Sequence, residues 1–208
     1  MFDARLRRLI NPPLDAVARR LAAAGVGADQ ITIAGASFGV TAAVAIAFGS
    51  SLIGLGLFLA GRILDGVDGA VARQSAPTNR GGFLDIVLDF VVYAAIPLAF
   101  AVRDPAANAL AASCLLAGFL VNGTAFLAFA VMAERHKLKT GAQGRKSLYY
   151  LSGIAEGSET IVVFAAFCLW PAWFAGFAFV FAALCLLSAA ARIAMAWKML
   201  SNPNGAMP

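Results

Sequence analysis

The sequence has little charge and almost no histidine. Asp, Glu, Lys and Arg make up only 13% of its 208 residues, and His136, in a polar segment, is the single histidine. Hydrophobic residues make up 61% of the chain, far more than one soluble core requires. This composition excludes an ordinary soluble domain and predicts an integral membrane protein.

Cysteine is equally scarce. Cys114, Cys168 and Cys185 stand singly inside apolar runs, with no C-x-x-C pair and no histidine cluster near them. A structural zinc site needs four closely spaced Cys or His ligands. The sequence therefore predicts no zinc site, and the three thiols are expected to fill apolar packing space.

The chain also lacks a long polar stretch or a Ser/Pro-rich linker, which predicts one membrane domain over residues 1–208. Segment 1–25 lacks the continuous apolar run of a signal peptide. Its apolar residues recur at steps of three and four, with arginines opposite them, so we expect an amphipathic interfacial helix. Pro12 and Pro13 predict that this helix is broken into two short ones.

Apolar runs long enough to cross a hydrocarbon layer of roughly 30 Å follow within residues 28–200. They predict an all-α integral membrane fold with six transmembrane helices, preceded by the interfacial helix. The runs lie near 30–49, 51–73, 82–102, 106–133, 147–169 and 172–199.

The basic residues predict the orientation of these helices. Lys and Arg cluster at one set of loops, whereas the opposite set holds only Arg103. The positive-inside rule then places both termini and the loop beginning at Arg73 in the cytoplasm. Orientation also explains the net charge of +5, because no aromatic-interleaved basic groove indicates nucleic-acid binding.

Four aspartates interrupt the apolar pattern. Asp65 and Asp68 are three residues apart and Asp85 and Asp89 are four apart, so each pair shares a face of its helix. Four carboxylates at the membrane surface would repel each other unless a cation lies between them. Carboxylate oxygens are ligands of hard divalent cations such as Mg²⁺. Two such ions can clamp the attacking and leaving oxygens of phosphoryl transfer.

The surroundings of the aspartates suit a phosphate ligand. Gly69 and Ala72 carry almost no side chain, so a pyrophosphate could approach the backbone. Arg73 and Arg80 offer guanidinium groups that match phosphate oxygens. Each acid could alternatively be a solvated helix end or pair with Arg62, Arg73 or Arg80. The in-register spacing of both pairs favours the metal site.

The stretch "DGVDGAVARQSAPTNRGGFLDIVLD" resembles the signature of the CDP-alcohol phosphotransferase family, D-x2-D-G-x2-A-R-x8-G-x3-D-x3-D. The six-span layout is similar to this family as well, and to a bacterial inner-membrane branch of it in particular. Between Arg73 and Asp85 the sequence is one residue shorter than the pattern, so the motif glycine is either Gly81 or Gly82. The residues that match in type and order are Asp65, Asp68, Gly69, Ala72, Arg73, Asp85 and Asp89.

The resemblance implies an enzyme of the bacterial inner membrane that moves a phosphatidyl group from CDP-diacylglycerol to an alcohol and releases CMP. It implies that Asp65, Asp68, Asp85 and Asp89 hold Mg²⁺ or Mn²⁺, as two ions, and that Asp89 is also the general base. Family members are commonly homodimeric, and small residues such as Gly118, Gly123 and Ala125 would permit close packing. The residues implied in binding the CDP portion are Asp68, Gly69, Ala72, Arg73 and Gly81 or Gly82.

The sequence determines the acceptor alcohol less well than the donor. Candidate acceptor residues are Arg80, Lys146 and Arg192; Arg192 could instead pair with Glu156 or Glu159, and a positive-inside loop accounts for Lys146 anyway. Glycerol 3-phosphate is the first choice, because that activity is widespread among bacterial relatives. Inositol phosphate, serine, an amino alcohol and phosphatidylglycerol are the alternatives.

Two other classes of function are open. Intramembrane acids also mark the paths of solute or ion transporters, and an inactive lipid-binding scaffold could keep the same aspartates. A transporter would more often show repeated halves with broken helices at mid-membrane. These aspartates cluster near one predicted surface and are not repeated, which favours the enzyme.

Overall fold

In the computed structural model, residues 2–75, 77–135 and 157–200 are described. Every regular element in these ranges is helical. His136, Lys146 and Glu156 lie outside them. The helices are α1 Phe2–Ala23, α2 Ala28–Ala47, α3 Ser51–Ser75, α4 Asn79–Arg103, α5 Pro105–Arg135, α6 Gly157–Leu169 and α7 Phe174–Leu200, with a 3₁₀ turn at Pro171–Trp173 before α7.

Four stretches in the described ranges are long and apolar enough to cross a membrane: Ala28–Ala47, Asn79–Arg103, Pro105–Met132 and Pro171–Lys198. They coincide with four of the six predicted spans. The charged residues of α3 keep that helix out of this group, although it is 25 residues long. Of the run 147–169, the structure describes only the short apolar helix Gly157–Leu169. The count of six therefore stays a prediction.

The outer surface of the helices is strongly apolar. Large side chains such as Phe48, Leu120 and Val162 are at least 68% exposed. A soluble protein rarely exposes so many large apolar groups, whereas lipid tails would cover them. Trp170 and Trp173 are also exposed, at the connection from α6 to α7, where interfacial tryptophans are frequent.

The core is built from phenylalanine rings. Phe100 stacks on Phe174 with ring centroids 4.5 Å apart, and Phe58 and Phe164 lie in the same cluster. Around it, α2 packs against both α3 and α4, α5 packs against α4 and α7, and α6 contacts α3 and α7. This packing fixes α3 and α4, the two helices that carry the aspartates.

A pair of glycines lets α2 approach α3 closely. A Cβ built on Gly61 would lie 2.8 Å from the carbonyl oxygen of Gly35, a contact that no side chain tolerates. The two backbones therefore meet one residue before Arg62. This close approach fixes the position of the half of α3 that carries the aspartates.

The predicted break in the N-terminal helix is wrong, because α1 continues through Pro12 and Pro13. Proline removes a helical hydrogen bond, but its fixed φ is already close to the helical value. The second half of α1 is held by packing: Ala18 is fully buried against Val67 and Ala70 of α3. The placement of α1 at the membrane surface stays a prediction.

Two of the small residues expected to allow dimerisation, Gly118 and Gly123, serve packing inside the chain. A Cβ on Gly118 would lie 3.2 Å from the carbonyl oxygen of Ala182 in α7, and one on Gly123 would overlap the ring of Phe90 in α4. These two glycines therefore let α5 approach its neighbours. The dimer itself stays a prediction, without support from Gly118 or Gly123.

Candidate metal and active site

Three of the four aspartates meet between α3 and α4. Asp65, Asp68 and Asp85 each offer a carboxylate oxygen, and these oxygens lie within 4.8 Å of one another. Arg62 contacts Asp89, and Ser51 at the start of α3 contacts Arg103 at the end of α4. The two helices therefore run in opposite directions, and the C-terminal half of α3 lies beside the N-terminal half of α4. The sequence spacing thus leads to one carboxylate group at one end of the helices.

Asp68 is the most buried member of this group, with 6% of its surface exposed. Its Oδ2 is buried and has no hydrogen-bond partner. The Thr32 hydroxyl of α2 donates to the Ala28 carbonyl oxygen at 3.0 Å, and Thr32 also lies near the Asp68 carboxyl group. A buried carboxylate oxygen without a partner is costly. This donor set, three converging carboxylates with one oxygen unsatisfied, fits a hard divalent cation.

Asp89, the fourth aspartate, accepts a hydrogen bond from an arginine. Nη1 of Arg62 donates to Asp89 Oδ1 at 2.6 Å and lies 3.5 Å from Asp65 Oδ2. The Arg62 side chain is only 8% exposed, and its Nε is buried without a partner. The alternative in which an arginine pairs with the acids is thus correct for Arg62, and it involves Asp65 and Asp89.

The surface of α3 beside the aspartates is open. A Cβ built on Gly69 would meet only Nη1 of Arg73, at 3.5 Å. Arg73 itself is 58% exposed, and its Nη2 lies 3.7 Å from Asp15 Oδ1 of α1. The expected close approach of a ligand to Gly69 therefore has room, with one guanidinium at its edge.

The start of α4 distinguishes the two candidate glycines. Thr78 caps the helix by accepting a hydrogen bond from the Gly81 amide at 3.0 Å. A Cβ on Gly81 would lie 3.1 Å from Asp29 Oδ1, whereas nothing lies within 4 Å of one on Gly82. Asp29 is also the partner of Arg80, whose Nη2 lies 2.6 Å from Asp29 Oδ2. Only Gly81 is in close contact with another helix.

Of the candidate acceptor residues, Arg80 is exposed and paired with Asp29, and Lys146 lies outside the described ranges. Arg192 is buried, and its Nη1 donates to Asn122 Oδ1 of α5 at 2.9 Å. Its guanidinium also lies 5.4 Å from the ring centroid of Phe126. The sequence did not indicate this contact between α7 and α5. Glu159, the other predicted partner of Arg192, lies exposed in the first turn of α6.

Sequence reasoning missed Thr32 and Asp29, which reach the site from α2. Nothing in their spacing links them to the aspartates, since only the packing of α2 on α3 and α4 brings them there. Arg62 had a visible signal. It is a charge inside an apolar run, three residues before Asp65, and therefore on the same helical face.

The chain is similar to known proteins over nearly its whole length. The sequence model of the family described as CDP-alcohol phosphatidyltransferase matches residues 26–201. The inner membrane protein YnjF of Escherichia coli K12 is 44% identical over 193 residues, which cover 93% of this chain and 94% of YnjF.

Solved structures share the fold. The phosphatidylinositol phosphate synthase of Mycobacterium tuberculosis with CDP-DAG bound has a TM-score of 0.72 and 19% identity, over 94% of this chain and 97% of its own. The same synthase in complex with manganese and citrate has a TM-score of 0.71 and 19% identity, over 94% of this chain and 92% of its own. At this identity the likeness concerns the arrangement of helices.

Proposed function

Because this chain belongs to the CDP-alcohol phosphatidyltransferase family, we propose that it transfers the phosphatidyl group of CDP-diacylglycerol to a small polar alcohol and releases CMP. The observation that carries the proposal is the convergence of Asp65, Asp68 and Asp85 within 4.8 Å, with a buried Asp68 oxygen left unsatisfied. These residues belong to the family motif. The donor is supported by the structural neighbour that binds CDP-DAG.

Asp65, Asp68, Asp85 and Asp89 would hold the cations, two ions of Mg²⁺ or Mn²⁺. The neighbouring synthase has been solved in complex with manganese, which supports a divalent ion as the cofactor. When bound, the ions supply positive charge that stabilises the pyrophosphate as CMP leaves. The fold of the chain brings the carboxylates of Asp65, Asp68 and Asp85 together and leaves Asp68 Oδ2 without a hydrogen-bond partner, so this oxygen is available to a cation.

Asp89 would act as the general base. Its side chain is 28% exposed, so an acceptor can reach it, and Arg62 occupies Oδ1 but leaves Oδ2 for a proton. The acceptor hydroxyl would transfer its proton to Asp89 as its oxygen attacks the phosphorus that bears the lipid. One phosphorus–oxygen bond forms, the bond to CMP breaks, and CMP keeps the electron pair.

The donor would lie along the open face of α3. The free space beside Gly69 admits a backbone-close pyrophosphate, Ala72 adds little bulk, and Arg73 is exposed enough to contact phosphate. Gly81, Asp85 and Asp89 are spaced four residues apart and therefore lie on one face of α4. We assign Gly81 as the motif glycine in preference to Gly82 for this reason. Asp68 would contribute to both the cation and the donor.

Glycerol 3-phosphate is the acceptor we propose, with Arg80, Lys146 and Arg192 as its candidate ligands. Inositol phosphate is the second candidate, favoured by the activity that the name of the structural neighbour gives. Both acceptors carry a phosphate, which a buried arginine such as Arg192 could bind through charge-assisted hydrogen bonds. Serine, an amino alcohol and phosphatidylglycerol stay as alternatives for the same site.

The enzyme would be a six-span homodimer of the bacterial inner membrane, with α1 at the interface and both termini cytoplasmic. YnjF, an inner membrane protein, supports the location. In this arrangement α3 and residues 147–169 add two spans to the four apolar ones. The aspartates would then meet the headgroup of a donor whose acyl chains stay in the leaflet.

The decisive experiment is CMP release from CDP-diacylglycerol by the purified full chain with Mg²⁺, over a panel of acceptors. We expect release with glycerol 3-phosphate and none without an acceptor. Release with inositol phosphate alone would reassign the acceptor. Binding of CDP-diacylglycerol without CMP release for any acceptor would indicate an inactive lipid-binding scaffold. Solute flux across proteoliposomes in the absence of CDP-diacylglycerol would indicate a transporter.

A further inference from the structure

Tyr93 lies on the face of α4 that carries two of the aspartates. Gly81, Asp85, Asp89 and Tyr93 are spaced four residues apart, so the tyrosine follows Asp89 by about one helical turn. Its side chain is half-buried, and it is close enough to Asp89 and Asp65 for their charges to act on it. Tyr93 therefore places a polar group beside the proposed active site.

Aromatic packing fixes the ring of Tyr93. Its centroid lies 6.0 Å from that of Phe119 in α5 and 6.1 Å from that of Phe164 in α6, whose ring is nearly perpendicular at 86°. The ring of Phe90, three residues earlier in α4, lies 6.3 Å away. These distances are typical of favourable aromatic pairs. Rings from three helices thus determine where the hydroxyl at the end of the tyrosine ring lies.

The Tyr93 hydroxyl has no hydrogen-bond partner among the residues that the structure describes. A Cβ built on Gly157, at the start of α6, would lie 3.8 Å from this oxygen, so the hydroxyl reaches the space between α4 and α6. A tyrosine hydroxyl inside a protein usually has a partner. Packing accounts for the ring, which phenylalanine would supply equally well, but it does not account for the hydroxyl.

The acceptor of the proposed reaction would give this hydroxyl a partner. The acceptor must bring its attacking hydroxyl to Asp89, and Tyr93 lies one turn away on the same helix face. A phenol is neutral and both donates and accepts a hydrogen bond, as an alcohol hydroxyl does. An ammonium or a carboxylate group needs an opposite charge when it leaves water, and a phenol supplies none. Tyr93 therefore suits a second hydroxyl of the acceptor.

We propose that Tyr93 is a specificity-determining residue, whose hydroxyl forms a hydrogen bond with an acceptor hydroxyl next to the one that Asp89 deprotonates. The acceptor is then a polyol with two neighbouring hydroxyls, such as glycerol 3-phosphate or inositol phosphate. Serine and amino alcohols with a single hydroxyl do not fit. This inference rests on the proposed function, since it narrows the acceptor of the same site. Tyr93 takes no proton in the reaction.

The test combines one substitution with one acceptor analogue, on the full chain in mild detergent. Tyr93→Phe removes the hydroxyl and keeps the ring, and 3-hydroxypropyl phosphate is glycerol 3-phosphate without its middle hydroxyl. We would measure kcat and KM for CMP release with both acceptors, CDP-diacylglycerol binding and the unfolding temperature. The matched control is Ser113→Ala, which removes an exposed hydroxyl of α5 that donates to the Ala109 carbonyl oxygen.

In the wild type, loss of the middle hydroxyl should lower kcat/KM by about 10- to 100-fold, the usual effect of leaving a polar group of the site unpaired. Tyr93→Phe should lower kcat/KM for glycerol 3-phosphate by a similar factor. With the analogue, this variant should lose at most about twofold more, because the two changes remove the same interaction. Donor binding and the unfolding temperature should stay at the wild-type values, and Ser113→Ala should behave as wild type throughout.

If another polyol is the preferred acceptor, the same comparison uses its deoxy analogues at the carbons next to the reacting hydroxyl. An equal loss with the analogue in Tyr93→Phe and in the wild type would overturn the inference. Near-normal kcat/KM in Tyr93→Phe would overturn it too, as would a lower unfolding temperature, which would assign the hydroxyl a structural role.

CMP release with serine or an amino alcohol alone would also overturn the inference. All these results leave phosphatidyl transfer itself standing. An absence of CMP release by the wild type with every acceptor would instead overturn the proposed function.

Discussion

Arg62 of α3 donates to Asp89 of α4 across 2.6 Å, although 27 residues separate them in the chain. The contact joins the two aspartate-bearing helices by one charge-assisted hydrogen bond, in a part of the molecule where the Arg62 side chain is 8% exposed. It also fixes which oxygen of Asp89 stays available to a substrate. The roles of the aspartates can therefore be separated by substitution.

Asp89→Asn should abolish most transfer while donor binding survives. The amide is the same size and can still accept the Arg62 hydrogen bond, but it cannot take the acceptor's proton at neutral pH. General bases typically contribute a factor of about 10²–10⁴, so turnover should fall by that amount. CMP release and CDP-diacylglycerol binding, measured on the same preparation, check this. Near-normal turnover would show that Asp89 is not the base.

Asp68→Asn is the matched comparison for that variant. It removes charge from a buried carboxylate whose Oδ2 has no protein partner, so it should weaken both Mn²⁺ and CDP-diacylglycerol binding. Equal loss of donor binding in Asp68→Asn and Asp89→Asn would mean that Asp89 acts mainly in coordination. Titration of the donor by each variant at saturating Mg²⁺ distinguishes these results.

Removal of metal should stop the reaction. Three carboxylates within 4.8 Å repel each other and also repel the pyrophosphate, and a divalent cation removes both obstacles. We expect no CMP release in excess EDTA and full recovery when Mg²⁺ or Mn²⁺ is added back, with Ca²⁺-free buffer as the control. Full activity in EDTA would contradict the metal assignment.

Gly81→Ala and Gly82→Ala should differ, although the residues are neighbours. A methyl group at Gly81 would press on Asp29, which is held by Arg80, while one at Gly82 meets nothing within 4 Å. Gly81→Ala should therefore weaken CDP-diacylglycerol binding, and Gly82→Ala should behave as wild type. Binding titrations of both variants check this. The reverse pattern would assign the motif to Gly82.

The helical class and the convergence of the aspartates could be predicted from sequence, because both depend on periodicity. Asp65 and Asp68 share a face by helical geometry alone, as do Asp85 and Asp89, and one short connection brings both faces together. Such patterns are local. They need no knowledge of how the other helices pack.

What sequence reasoning missed depends on packing between distant helices. Thr32 approaches Asp68 because α2 lies against α3, and Arg192 meets Asn122 because α7 lies against α5. No spacing in the sequence encodes either contact. The prediction at Pro12 and Pro13 was wrong although it used a local rule. Proline was expected to break the N-terminal helix, but α1 continues through both residues.

The close approach of α2 to α3 gives a stability prediction that is independent of catalysis. Gly61→Ala would place a methyl group 2.8 Å from the backbone carbonyl of Gly35, which cannot rotate away, so the helices must separate. Overpacking of this kind costs about 1–3 kcal/mol. Gly56→Ala, on the same helix with nothing within 4 Å, is the control and should leave the unfolding temperature unchanged or slightly higher. Thermal unfolding in mild detergent compares the two.

Because Arg62 follows Gly61 directly, we expect Gly61→Ala to lower CMP release as well, even at temperatures where it is folded. Equal unfolding temperatures for the two variants would show that α2 and α3 do not meet at these glycines.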